Sequence, residues 1–138
     1  MRLHKDAKAE LIRSLPLFAG CTSSEVAEVA AIADEIDLAA GRQLATENAE
    51  GGEFVVIIEG TATVTKGDEV INTMGAGDFF GEIALVRGGP RTASVVAQTP
   101  VHALVISAHS FRTLIEHAPA IRAKVEGALA ERTGDAGA

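Results

Sequence analysis

Residues 78–93 read Asp-Phe-Phe-Gly-Glu-Ile-Ala-Leu-Val-Arg-Gly-Gly-Pro-Arg-Thr-Ala, with Glu82 nine positions ahead of Arg91 across a Gly-Gly-Pro turn. A short helical turn over residues 81–85 would leave its first backbone amides without intrahelical partners, and such amides attract an anion. Gly81 lets a ligand come close to that backbone. Glu82 offers two acceptor oxygens, a match for paired hydroxyls such as those of a ribose. Pro90 pre-sets the chain beside Arg91, whose planar donor fork fits two oxygens of a phosphate. Thr92 adds a hydroxyl next to it. Together these groups form an inventory for a sugar phosphate. The same two charges would also make an ion pair that braces a loop, and spacing alone leaves both readings open.

The rest of the chain limits what such a site could serve. There are 138 residues, enough for one domain with a real core, and 47% are apolar against 22% charged, a globular balance. Five Phe are the only large aromatics, with no Trp and no Tyr, so Val, Ile, Leu and Ala must build the core. The net charge of −7 argues against broad capture of nucleic acid, which needs a basic face to displace many counterions. Around the motif the charges balance, with Asp78 and Glu82 against Arg87 and Arg91. One cysteine, Cys21, cannot close an internal disulfide, which suits a reducing compartment. The amino terminus lacks the apolar core of a signal peptide, and no apolar run reaches membrane-spanning length. The expectation is a cytoplasmic protein that does not insert into a membrane.

The elements that must hold the motif follow from periodicity. Residues 5–14 predict a short amphipathic helix with Ala7, Leu11 and Ile12 on one side, stopped by Pro16. Thr22-Ser-Ser-Glu25 has capping-box spacing, and Val26, Val29, Ala30, Ala33 and Ile36 recur behind it at helical intervals, predicting a helix to about Ala33. From Ile36 to Ser107 the texture changes to short Val-, Ile- and Thr-rich segments separated by glycine. Strands are predicted at 35–38, 43–46, 53–59, 61–66, 70–74, 92–98 and 101–107. The run Phe-Val-Val-Ile-Ile at 54–58 is continuously apolar, so it is buried on both faces or sits at a tight corner. Turns at Gly41, Gly51-Gly52, Gly60 and Gly67-Asp68 suggest a sandwich or barrel of antiparallel strands. Helical spacing returns with Phe111, Leu114 and Ile115. A second helix opens at Pro119 with a stripe of Ile121, Val125, Ala128 and Leu129, and Thr-Gly-Asp-Ala-Gly-Ala follows as a frayed tail.

With these pieces in place, Gly-Asp-Phe-Phe-Gly-Glu-Ile-Ala-Leu-Val-Arg-Gly-Gly-Pro-Arg-Thr-Ala-Ser-Val closely resembles the phosphate-binding cassette of cyclic nucleotide-binding domains. Gly81, Glu82, Ala84, Leu85, Pro90, Arg91, Thr92 and Ala93 match its pattern. Gly-Gly-Glu-Phe-Val-Val-Ile-Ile-Glu-Gly-Thr-Ala-Thr-Val resembles the family's glycine-flanked early hairpin, and Leu-Pro-Leu-Phe-Ala-Gly resembles its opening. The likeness runs roughly over residues 12–130. It implies an antiparallel β-roll, jelly-roll-like, with N-terminal helices over 1–34, the roll over 35–107 with its cassette at 78–93, and C-terminal lid helices over 108–138, all one domain. It also implies a ligand, cAMP or possibly cGMP, with cAMP favoured. Arg91 would neutralise the cyclic phosphate, and Glu82 would hold the ribose 2′-hydroxyl. Backbone around Gly81, Ile83 and Ala84 would line the sugar phosphate, Thr92 would touch a phosphate oxygen, and Ala93 would pack beneath. Ile121, Val125 and Leu129 would cover the base as a lid, although ordinary core packing explains that stripe equally well.

No catalytic residue, metal ligand set or further cofactor is expected. His4, His102, His109 and His117 are too scattered for a metal site, Cys21 has no base partner, and the glycines of Gly-Ala-Gly-Asp-Phe-Phe-Gly lack dinucleotide-binding spacing. The expectation is therefore a regulatory module, stand-alone, that signals to an unknown effector protein by moving its last helix. The alternatives are a β-roll interaction module without useful nucleotide affinity, or the regulatory domain of a larger channel, kinase, transcription factor or acetyltransferase.

Overall fold

The computed structural model describes residues 5–49, 52–81 and 91–132. Its chain begins with α1 (Lys5–Ser14), a 3-10 turn (Pro16–Phe18) and α2 (Ser23–Ile32). Pro16 ends the first helix as expected and opens the 3-10 turn, where its missing N–H costs nothing. The capping box forms at Thr22: the Glu25 amide donates to Thr22 Oγ1 at 3.1 Å, and the Thr22 amide donates to Glu25 Oε1 at 2.8 Å. Reciprocal caps of this kind contribute about 1 kcal/mol. Helix α2 stops at Ile32, with Ala33 already extended. Ile36, although it keeps the helical interval, lies on the strand predicted at 35–38.

Among the described residues eight strands follow: β1 (Asp34–Leu38), β2 (Gln43–Ala45), β3 (Glu53–Glu59), β4 (Ala62–Lys66), β5 (Glu69–Met74), β6 (Phe79–Phe80), β7 (Ser94–Ala97) and β8 (Val101–Ser107). They form two four-stranded sheets with orders β1-β8-β3-β6 and β2-β7-β4-β5, and every pairing is antiparallel. The antiparallel strands expected from the glycine-punctuated segments are present, in the β-roll that the family resemblance implies. The two-residue β6 is too short to leave a period in sequence, and no strand is predicted there. Two helices close the described chain, α3 (Ala108–His117) and α4 (Pro119–Arg132). The tail at 133–138, the Gly51 end of the predicted turn and the helical turn expected over 81–85 lie largely or wholly outside the described residues.

Two apolar clusters share the sheet that contains β3. Val55 and Ile57 face the interior of the roll with Val64, Met74, Phe80, Val95 and Val105. Phe54, Val56 and Ile58 face the other way, into a helix-side cluster with Leu17, Phe18, Val29, Phe111, Leu114 and Ile121. The continuously apolar run at 54–58 is thus buried on both faces. Phe54 stacks on Phe111 at a ring separation of 4.4 Å and tilts against Phe79 at 5.5 Å. Aromatic pairs of this kind add about 0.5–1.5 kcal/mol beyond area burial.

The outer face of β1 and β8 carries a polar cross-strand group. His102 stands opposite Asp37 in register. Its Nδ1 lies 2.7 Å from Asp37 Oδ1 and its Nε2 lies 3.1 Å from the buried Glu35 Oε2. Both ring nitrogens must carry protons for both contacts to be hydrogen bonds. The bond from His102 holds the exposed Asp37 carboxyl below the ordinary aspartate range. A lowered folded value means that Asp37 contributes stability above the aspartate's unfolded pKa and loses it as pH falls through the folded one. Thermal unfolding should therefore show stability falling as pH drops below about 4, and Asp37→Asn should flatten part of that fall. An unchanged acid limb in Asp37→Asn would refute the assignment.

Candidate functional site

Arg91 enters the fold just before β7 and is only 5% exposed. The turn ahead of β3 straps it down. The Arg91 amide donates to the Ala49 carbonyl at 2.8 Å, and the Asn48 amide donates to the Arg91 carbonyl at 2.9 Å. Three residues later the Glu47 amide donates to Ser94 Oγ at 2.9 Å. Asn48 sits at φ 67°, a left-handed conformation that asparagine tolerates better than most side chains. This turn therefore fixes the backbone from which the guanidinium projects.

The side chain then reaches the first residue of β3. Arg91 Nη2 donates to the Glu53 carbonyl at 2.6 Å, and the guanidinium carbon lies 5.9 Å from the centre of the Phe80 ring. Gly81 completes the arrangement. Its φ is +104°, and a Cβ there would lie 2.5 Å from the Glu53 carbonyl oxygen, 2.7 Å from Arg91 Nη1 and 3.3 Å from Phe54 Cα. Only a residue without a side chain fits between the arginine and the strand. The structure thus brings Gly81 and Arg91, ten positions apart, into direct proximity. A charged-group hydrogen bond of this kind is stronger than a neutral one and offsets part of the cost of burying the cation.

Other expected residues fall as follows. Thr92 is half-buried beside Arg91, and Ala93 is fully buried in the interior cluster with Phe80 and Val95. Glu82, Ile83 and Ala84 lie outside the described residues. Ile121 and Val125 are fully buried in the helix-side cluster with Leu17 and Phe18, so in this structure they pack as core and are not gathered with Arg91. The side chain of Leu129 lies outside the described residues. Arg91 also lines a cavity of about 280 Å³ with Leu44, Thr46, Ala49, Gly52 and Glu53.

Sequence reasoning passed over Glu53 and the turn at Asn48-Ala49. Glu53 contributes a backbone carbonyl, which every residue type possesses, so its identity carries no signal. The turn left a faint one in the turn-prone Asn48 ahead of Gly51-Gly52. Among the described residues, no three His, Cys, Asp or Glu side chains are placed to hold a metal ion. Burial, and after it the charge of Glu25, pushes the Cys21 thiol up, which disfavours the thiolate a nucleophile needs. No helix among the described residues is long and apolar enough to cross a membrane.

A family model described as the cyclic nucleotide-binding domain matches residues 35–118, from β1 to the end of α3. The chain belongs to the cyclic nucleotide-binding domain family. It is 33% identical over 125 residues to a cyclic nucleotide-gated potassium channel of Rhizobium etli, covering 91% of this chain and 35% of the channel. It is 33% identical over 92 residues to a cAMP-dependent protein kinase regulatory subunit of Mycosarcoma maydis, covering 64% of this chain and 18% of the subunit. The chain therefore spans about a third of the one relative and under a fifth of the other. Among solved structures it is similar to a second cyclic nucleotide-binding domain of a protein kinase A regulatory subunit bound to Sp-2Cl-cAMPS, with a TM-score of 0.74 at 27% identity over 80% of this chain and 75% of that one. The regulatory subunit of a cAMP-independent protein kinase A from Trypanosoma brucei, at 21% identity, a TM-score of 0.81 and coverage of 89% of this chain and 45% of that one, shares the fold. A fold common to both descriptions leaves the ligand to be argued from the site.

Gly81→Ala tests the packing directly. Its Cβ would collide with a backbone carbonyl that has no room to retreat, in a conformation that disfavours L side chains. Denaturant unfolding should show a loss on the order of 1–3 kcal/mol, and wild-type stability would show that Gly81 does not sit against β3.

Proposed function

We propose that this chain is a cyclic nucleotide sensor in which Arg91 receives the cyclic phosphate. The observation that carries the reading is the Arg91–Gly81 arrangement. A buried guanidinium is held in a fixed orientation by the Glu53 carbonyl, within the segment that belongs to the cyclic nucleotide-binding domain family. A preorganised planar fork loses little freedom on meeting two phosphate oxygens. Glu82 accepts from the ribose 2′-hydroxyl, and the backbone around Gly81, Ile83 and Ala84 lines the sugar phosphate. Thr92 donates to a phosphate oxygen, and the small, buried Ala93 keeps the floor beneath the ligand close.

The favoured ligand is cAMP, with cGMP as the competitor because Thr92 also permits a guanine contact. The helices over 1–34, the roll over 35–107 and the helices over 108–138 work as one domain. Its output is a movement of α4 that changes the surface offered to an effector protein or an attached domain in the cytoplasm. Ligand shifts that equilibrium only through its differential affinity for the two states. The module regulates and does not itself catalyse, in keeping with relatives named as regulatory subunits.

Thermal unfolding of wild type with cAMP, cGMP and 5′-AMP, read by calorimetry, tests the reading. Ligand at a hundred times its dissociation constant adds about 2.7 kcal/mol, a shift of several degrees for a domain of this size. Arg91→Ala should lose most of the shift while remaining folded, and Arg91→Lys should rescue it poorly, because a point charge does not reproduce the fork. An Arg91→Ala chain that binds as well as wild type would overturn the site. Glu82→Gln should weaken binding more mildly and remove the preference for a ligand with its 2′-hydroxyl.

A further inference from the structure

A cavity of about 510 Å³ lies away from Arg91. One wall is the β5–β6 loop at residues 76–79, which runs directly into Phe80 and Gly81. The opposite wall is α4, through Lys124, Gly127 and Ala128, and the floor is Pro16 and Leu17 of the 3-10 turn. Loop and turn touch at that floor, where a Cβ on Gly77 would lie 3.2 Å from Pro16 Cδ. Higher up the two walls stand apart. Among the described residues, a Cβ on Gly127 would meet nothing within 4 Å, so none of them fills the space beside that part of α4.

One side chain fixes α4 on the far side of this gap. Lys124 Nζ donates to the carbonyls of both Pro16 and Ala19, at 2.5 and 2.7 Å. The Pro16 carbonyl also accepts from the Ala19 amide at 3.3 Å, and carbonyls at the end of a helical turn favour a cation. Below them Leu17 and Phe18 pack with Ile121 and Val125 in the helix-side core. The Asp78 carboxylate lines the same cavity and accepts from the Gly75 amide at 2.8 Å.

We propose that Lys124 is a latch that holds α4 open, away from the loop leading into Gly81, and thereby lowers the resting affinity for the nucleotide. This rests on the reading of the chain as a cyclic nucleotide sensor. The two carbonyl bonds exist only while α4 lies along the 3-10 turn. Closing the gap breaks them, so they weigh against the closed state. Apparent affinity falls by the fraction of molecules that are closure-competent, and losing the latch raises that fraction.

The test uses the full chain in a Cys21→Ser background, with spin labels on Ala76→Cys and Ala128→Cys facing each other across the cavity. Without ligand, Lys124→Met should shift the label distance distribution to shorter values, and Lys124→Arg, which keeps the carbonyl bonds, should not. In unlabelled chains, Lys124→Met should bind cAMP about five- to tenfold more tightly than wild type. Lys124 is a partly exposed helix residue, and an unchanged melting profile will show that both variants are folded. A ligand-free distance unchanged by Lys124→Met would overturn the latch, as would equal or weaker binding by a variant that does bind. A shortened distance in a chain that binds no cyclic nucleotide would uphold the latch and remove the ligand reading instead.

Discussion

Burying an arginine is unfavourable unless its charge is answered, because the interior cannot solvate the guanidinium as water does. At Arg91 the fold answers with a backbone carbonyl, that of Glu53, and with a glycine thin enough to let the two meet. Around that contact much of the local architecture is constrained. The turn at 47–49 must stay strapped to residues 91–94 to aim the side chain. Strand β3 must begin at Glu53 to present the carbonyl, and Gly81 must keep its positive φ to leave the space. The stretch over 47–53 is distant in sequence from the stretch over 81–94, so the geometry exists only once the roll has closed.

Strand β3 ties that contact to the rest of the molecule. Its first residue holds Arg91, and its second, Phe54, stacks on Phe111 of α3 and leans on Phe79 at the entrance to β6. The same short segment therefore meets Arg91 through the Glu53 backbone carbonyl and the helix layer through the Phe54 side chain.

Helix α4 meets the rest of the described fold with two unlike faces. Its apolar stripe is satisfied here by the helix-side core, where Ile121 and Val125 are buried with Leu17 and Phe18. The space beside Gly127 and Ala128 is open. A helix with one face packed and another beside an empty cleft can move at modest cost, provided that its buried face keeps or exchanges partners. Lys124 adds a directional restraint to an otherwise non-directional apolar contact.

What the sequence determined by itself is local or repetitive. Proline and the capping box set the helix boundaries near 5–14 and 22–32. Alternation and glycine spacing marked seven of the eight strands. The cassette at 78–93 identified the family and singled out Gly81 and Arg91, because the residue types and their spacing are legible in the sequence. What only the tertiary structure decided depends on partners far along the chain. It set which face of residues 54–58 meets the roll and which meets the helices. It placed a two-residue strand at Phe79–Phe80, and it packed Ile121 and Val125 into core in this state. It also made the Glu53 carbonyl the group that holds Arg91. Side-chain periodicity records that a residue is to be buried but not against what, and a backbone carbonyl records nothing at all. Those assignments arise only when closure of the roll brings the segments together.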